Sequence, residues 1–396
     1  MKLFSFLFVL TIITGSLIAA PHADQDPLLM KSIELMLHEQ FDESGVLLDS
    51  LLLKYPEDPC PYFFKGMLTW RISYNMDGYE SWDKKSLKYW DKTIEIADRM
   101  IEAKKDLAYA HFFKGGAHGY IGTLHVRGGS FIKAGWGVMK GINNLEESFR
   151  LDSSYYDTYY GTGLYHVVAA NSSSIVRFLQ KLLPMSEGNA DLGVRYLQIA
   201  LKKGHFSPIL AQAILGFNYT YYRPNYDSAG YYLKPLVESF PRSTDFLTLV
   251  INLLAKEGLE TGHTDWGALH RYLGLLEGRM GQRKETLAKW YREKYSFFDG
   301  YTRFRENDFE TAYIVLKQYT KQYGKGVYAG IAYWLLGAME DLKNNRKQAV
   351  KYYQQAEKKN QFGNLKRLVD ECLLKPYSNE SNLLFKGSFY ELPKKP

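Results

Sequence analysis

Residues 333–356 read YWLLGAMEDLKNNRKQAVKYYQQA. Tyr333, Leu336, Gly337, Ala349, Tyr353 and Ala356 follow one another there at intervals of 3, 1, 12, 4 and 3. Steps of three and four keep residues on one stripe of a helix, and the step of twelve leaves room for a turn between two such helices. The small residues Gly337 and Ala349 then mark where the two backbones come closest, while larger side chains fill the space toward the next pair. The stretch predicts a helical hairpin made to be stacked.

Working outward, the same device recurs. Ser44, Ala229 and Ala312 hold the place of Ala349, and Pro56 and Pro241 follow the first two at twelve residues. Gly66, Gly115 and Gly300 hold the place of Gly337. Asp26-Pro27 and Asp58-Pro59 each offer an N-cap and a proline at the first helical position, so one hairpin runs from 26 to 56, turning at Phe41-Asp42-Glu43, and another restarts at 58. Ser207-Pro208 opens a fifth unit that turns at Asn225-Tyr226-Asp227 and ends at Phe240-Pro241. Asn307 and Glu310 form a capping-box-like pair just before Ala312. Phe63-Phe64-Lys65-Gly66 returns as Phe112-Phe113-Lys114-Gly115. The middle is less regular: a long second helix from Ser81 to Ala103, a run of glycines from Gly119 to Gly141, and a loop from Asn171 to Ser174.

A chain of 396 residues is too long for one ordinary core, and no Pro-, Gly- or Ser-rich linker divides it, which favours an extended repeat. With 46% hydrophobic, 23% charged and 15% aromatic residues, it has a folded protein's composition. Lys2, an apolar run from Leu3 to Ile18 and Ala19-Ala20 have the layout of an export signal over residues 1–20. An uncleaved anchor is the competing reading, because the stretch reaches the ~18 residues a bilayer demands. No second spanning helix is expected, since 158–176 carries His166, Asn171 and three serines. The formal charge of +7 is dispersed along the chain, a solubility feature rather than a nucleic-acid footprint. Cys60 and Cys372 lie near opposite ends of the array and are expected as two buried thiols.

In residue classes and spacing these units resemble the tetratricopeptide repeat over most of 26–375. The central layout, with Gly119-Tyr120 and the segment 157–165 (DTYYGTGLY), is also similar to bacterial exported repeat proteins related to the tetratricopeptide repeat protein 39 and inclusion-body-clearance group. The resemblance implies an all-α, right-handed solenoid of antiparallel hairpins, about seven to nine of them, over 24–375; residues 376–396, polar and ending Pro393-Lys-Lys-Pro396, are expected as a short poorly ordered tail. It implies a scaffold whose inner groove is lined from the first helix of each hairpin. Carried over on the small-residue markers, those positions fall on Phe63, Met67, Trp70 and Arg71 in the second unit, Tyr120 in the third, Tyr221 in the fifth, and Trp334 and Asp341 in the last.

Motifs for chemistry are sparse. His111, His118 and His125 recur every seven residues, but seven residues rise about 10.5 Å, too far for two imidazoles on one metal; His263 and His270 meet the same objection. His38-Glu39-Gln40-Phe41-Asp42 lacks the second histidine of a zinc-protease helix. Arg127-Gly128-Gly129-Ser130 lacks phosphate-loop spacing and reads as a tight turn with Ser130 as N-cap. Gly137 and Gly141 sit beside Lys140 and Asn143, so close packing of soluble helices explains them. No catalytic residue, metal or cofactor is assigned. The expectation is an exported scaffold of the periplasm or cell envelope that binds a protein or peptide in its concave groove. The alternatives are a glycan or small-ligand module using aromatic faces, and an enzyme of unknown class.

Overall fold

The computed structural model describes residues 22–76, 81–171, 185, 187–282, 285–359 and 365–378. The expected leader and most of the expected tail lie outside them, as do residues 172–174 of the expected Asn171 loop. Among the described residues every regular element is a helix. They pair as α1 (Pro27–Leu37) with α2 (Phe41–Lys54), α3 (Pro59–Asn75) with α4 (Trp82–Glu102), α5 (Leu107–Arg127) with α6 (Phe131–Leu151), and α7 (Thr158–Ala170) with α8 (Ala190–Lys203). Then come α9 (Pro208–Tyr221) with α10 (Tyr226–Ser239), α11 (Thr244–Thr261) with α12 (Trp266–Glu277), α13 (Glu285–Arg305) with α14 (Phe309–Gln322), and α15 (Ala329–Leu342) with α16 (Arg346–Lys358). A single α17 (Leu365–Leu374) ends the array. Each helix packs on the next, and first helices of successive hairpins also touch, as α1 does α3 and α3 does α5. This is an all-α repeat of helical hairpins.

Local chemistry sets the boundaries. Asp26 and Asp58 accept from the N–H groups of Leu28 (3.0 Å) and Cys60 (2.9 Å) at the two Asp-Pro starts. Asn225 accepts from Ser228 N–H at 2.9 Å and starts α10. Before α14 the cap is Asp308, which accepts from Thr311 N–H at 3.2 Å, whereas Asn307 takes a left-handed turn (φ 65°). Ser130 precedes α6 without a side-chain cap bond, and Gly129 carries the left-handed φ of 73° that makes the turn.

The central glycines are a packing device. A methyl group added at Gly115 would stand 2.9 Å from the Gly141 carbonyl oxygen, one at Gly137 3.0 Å from the Gly122 Cα, and one at Gly141 3.1 Å from Gly119 N. α5 and α6 therefore touch backbone to backbone. Gly163 and Gly193 repeat this between α7 and α8, at 3.0 and 2.8 Å from each other's carbonyl oxygens. Each such glycine costs a helix about 1 kcal/mol relative to alanine, and close packing offsets it.

The array closes on itself at its N-terminal end. Glu39, in the turn after α1, accepts from Thr244 N–H (2.7 Å) and Thr244 Oγ1 (3.0 Å) at the start of α11. Arg71 donates to Asp245 at 2.7 Å, and the His38 ring lies 4.9 Å from that of Phe240. His205 Nε2 stands 2.9 Å from the Asp24 carbonyl oxygen. Hairpins one to five and the start of the sixth thus form one closed turn.

Beyond it lies a large aromatic and aliphatic core. Phe297, Phe298, Tyr301, Tyr319, Trp334 and Tyr353 are all fully buried in a core that runs through the last four hairpins. Cys60 and Cys372 are separate buried thiols, and burial pushes both up, Cys372 to about 11.

A candidate ligand channel

The closed turn encloses a cavity of about 1030 Å³. Its wall comes from the first helices: Met30, Ile33 and Leu37 of α1, Phe63, Met67, Trp70 and Arg71 of α3, Phe112, Gly119 and Tyr120 of α5, and Tyr160, Leu164 and Val168 of α7. Val138, Ile142 and Leu145 of α6 show between them, and Phe206, Ile209, Leu210 and Phe240 complete the circuit. The helices lie parallel, so their N-terminal ends mark one end of the channel and their C-terminal ends the other.

At the N-terminal end the Phe206 ring packs on Phe64 (5.2 Å), Phe113 (6.1 Å) and Phe112 (6.4 Å). Buried Asp157 holds that segment in place. It accepts from the N–H groups of His205, Phe206 and Ser207, each at 2.9 Å, and from Ser207 Oγ at 2.6 Å. Along α1 the channel reaches solvent past Met30, Lys31 and Glu34, the last two paired at 3.0 Å.

Three tyrosines line the channel, Tyr120, Tyr160 and Tyr165. Tyr120 stacks on Trp90 at 5.1 Å and meets Trp70 and Phe63 edge-on. Burial pushes its hydroxyl up to about 12, partly offset by Arg71. Burial also pushes the Tyr160 hydroxyl up, with Tyr120 adding to it. Both phenols are surrounded by protein.

The C-terminal end carries the charge and an exposed apolar rim. Arg71 is 8% exposed, and its Nε has no partner. Arg127 pairs with Asp83 and donates to Ser73 Oγ. Val126, Phe131, Ile132 and Trp136 are between 42% and 57% exposed, beside the exposed Lys133 and Lys140. Phe131 lies seven residues before Val138, on the helix stripe that lines the channel.

Of the residues singled out in sequence, Phe63, Met67, Trp70, Arg71 and Tyr120 come together on this wall. The other three do not join them. Tyr221 ends α9 and packs on Phe217 at 4.8 Å. Trp334 is fully buried, donating its indole N–H to the Leu368 carbonyl at 3.3 Å. Asp341 is a buried acceptor for Arg346, for Tyr353 Oη at 2.9 Å and for Tyr377 N–H at 2.8 Å. The placement of these last two in the groove is corrected: α17 and Tyr377 cover that face. Sequence reading missed Phe206 and Asp157, whose neighbourhood is set by chain closure.

The histidines do other work. His111 Nδ1 lies 2.9 Å from Asn144 Oδ1. His118 is held down to about 4, first by burial and then by Lys140 and Lys114. Neither His118 nor Arg127 lines the channel. Among the described residues no cluster of three His, Cys, Asp or Glu could hold a metal, and no helix is long and apolar enough to cross a membrane.

No protein-family model matches the chain, and no curated protein sequence matches it. Similar solved structures include the human IFIT1 dimer with PPP-AAAA, at 12% identity and a TM-score of 0.37, covering 81% of this chain and 69% of that one. Yeast Tom70 is similar at 10% identity and a TM-score of 0.33, covering 88% and 81%. The TPR domain of P58(IPK) is similar at 11% identity and a TM-score of 0.26, covering 87% and 96%.

Proposed function

We propose that this chain is an exported, non-catalytic binding scaffold that holds an apolar ligand, or the apolar anchor of a partner protein, inside its closed N-terminal turn. One observation carries the reading: first helices from four hairpins surround a cavity of about 1030 Å³ whose wall is almost wholly hydrocarbon and aromatic. Ligand sites of this kind are concave and mostly apolar, with a few placed polar groups. The wall suits a glycan poorly, because sugar hydroxyls need hydrogen-bond partners that it does not offer. It suits nucleic acid poorly as well, because the lining offers one lysine, Lys31, and one arginine, Arg71, and a phosphate backbone needs several cations in a row. Export rests on the leader-like residues 1–20.

The test is titration with the neutral apolar fluorophore N-phenyl-1-naphthylamine. One saturable site is expected, lost in Gly119→Trp and kept in Gly119→Ala. Uptake that is unsaturable, or equal in the tryptophan variant, would remove the channel as the site. N-terminal sequencing of the protein recovered after secretion tests export, with a start near residue 21 expected.

A further inference from the structure

We propose that the channel takes up the acyl chain of an anionic lipid, received from a bilayer surface at the end where Phe131 and Trp136 stand exposed. The proposal rests on the apolar-ligand reading and names the ligand's class. Four observations lead to it.

The first is hydrogen-bonding capacity. From Phe112 to Thr123 the wall spans about 16 Å of helix rise. An extended polypeptide of that length has about five residues, hence about ten backbone donors and acceptors. Thr123 Oγ1 is bonded to the Tyr120 carbonyl, Asp157 and Ser207 to each other, and His205 to Asp24. Lys31 and Glu34 are paired with each other at the exposed rim, and the hydroxyls of Tyr120, Tyr160 and Tyr165 with the Arg71 Nε cannot serve ten groups. A hydrocarbon chain makes no such demand.

The second is Gly119. It faces the channel, and a methyl group added there meets nothing within 4 Å. Gly115 and Gly141 are glycines because another backbone lies against them. Gly119 has no such neighbour at its missing side chain, so its effect is to widen the channel.

Third, Arg71 lines the channel while more than nine-tenths buried, and its Nε has no partner. Asp245, its partner at 2.7 Å, is half-exposed, so an anionic head at this end finds a guanidinium only partly used. Fourth, Ile132, Trp136 and Lys140 follow at four-residue steps along α6, beside Phe131 and Lys133, and all five are exposed. Aromatic and aliphatic side chains interleaved with lysines suit an anionic bilayer interface. They adjoin the end that holds Arg71.

The experiment displaces N-phenyl-1-naphthylamine from the purified protein with palmitate. One-to-one displacement is expected, weakened at least tenfold in Gly119→Trp while its circular dichroism and melting temperature stay unchanged, and retained in Gly119→Ala. Arg71→Met should weaken palmitate about tenfold, the value of one charge-assisted hydrogen bond, and leave hexadecanol unaffected. Asp245→Asn should tighten palmitate, which separates the head-group role from loss of the Arg71–Asp245 contact. Co-sedimentation with phosphatidylglycerol vesicles should fall in Phe131→Ser/Trp136→Ser, with palmitate displacement intact.

A fluorophore that binds in the channel but yields to an amphipathic Leu/Lys peptide and not to palmitate overturns the acyl chain and leaves the channel standing. A fluorophore indifferent to Gly119→Trp overturns both. Palmitate binding with no vesicle binding overturns the bilayer as the source.

Discussion

Phe63 and Trp334 stand three residues before their marker glycines, Gly66 and Gly337, and Trp70 and Asp341 stand four residues after them. In the second hairpin both positions look into a channel. In the eighth, Trp334 is sealed under α17, and Asp341 binds Arg346, Tyr353 and Tyr377. The motif thus fixes which face of a helix turns inward. What meets that face is decided by elements far away: a capping helix at one end, and a second stretch of the same chain, bent round to leave a hollow, at the other. A terminal capping element is what a stacked array needs to hide its last apolar face.

The sharpest way to break this contrast is to truncate both tryptophans. Trp334→Ala should cost about 3–5 kcal/mol, as for a fully buried large side chain, and Trp70→Ala less than half of that, because the Trp70 ring already borders a cavity. Denaturant unfolding of the two variants measures the difference, and equal losses would mean that the hollow is filled in solution. Next comes Gly141→Leu, which forces a side chain into the α5 backbone and should cost about 3 kcal/mol, again by denaturant unfolding. Glu39→Ala strips the acceptor from Thr244 and should cost about 1–2 kcal/mol. Hydrogen exchange should then quicken at 243–248 and stay unchanged in α15 to α17.

Acid should act on the hollow half through His118. Its folded pKa of about 4 lies below the usual 6.5, so the unfolded chain takes up the proton first and stability falls as pH drops from about 6.5 to 4. After solvent screening the loss is about 1–2 kcal/mol, and His118→Gln should flatten that limb of a pH–stability curve. His22 has the opposite sign. Its hydrogen bond to Asp58 raises its pKa, so its contribution is present below about 6.5 and fades as pH climbs through the raised value. The smallest expected effect is a gain: Gly119→Ala should stabilise by about 0.5–1 kcal/mol, whereas Gly337→Ala meets Tyr353 Cε1 at 2.6 Å and should destabilise. Thermal melts of the two distinguish them.

Much of this was legible in the sequence because it is local. The Asp-Pro starts and the small-residue markers follow from spacing within single hairpins, and positions 63, 67, 70, 71 and 120 carry over onto those markers from the resemblance to the tetratricopeptide repeat. The closure left no such trace. Glu39 and Thr244 are 205 residues apart and Arg71 and Asp245 are 174 apart, and no periodicity links partners at those distances. Asp157 lies in a segment rich in glycine and tyrosine, yet its role as acceptor for residues 205–207 depends on how α8 returns. Trp334 and Asp341 depart from the expected groove because α17 and Tyr377, which cover them, lie outside the repeat pattern.

The Glu39–Thr244 contact has a consequence for how the molecule is made. In an ordinary stacked array each unit can settle on the one before it as it leaves the ribosome. Here the opening hairpin lacks its Glu39–Thr244 contact until Thr244 has been synthesised. Shortening the chain anywhere before that point should therefore loosen the beginning of the protein rather than its cut end.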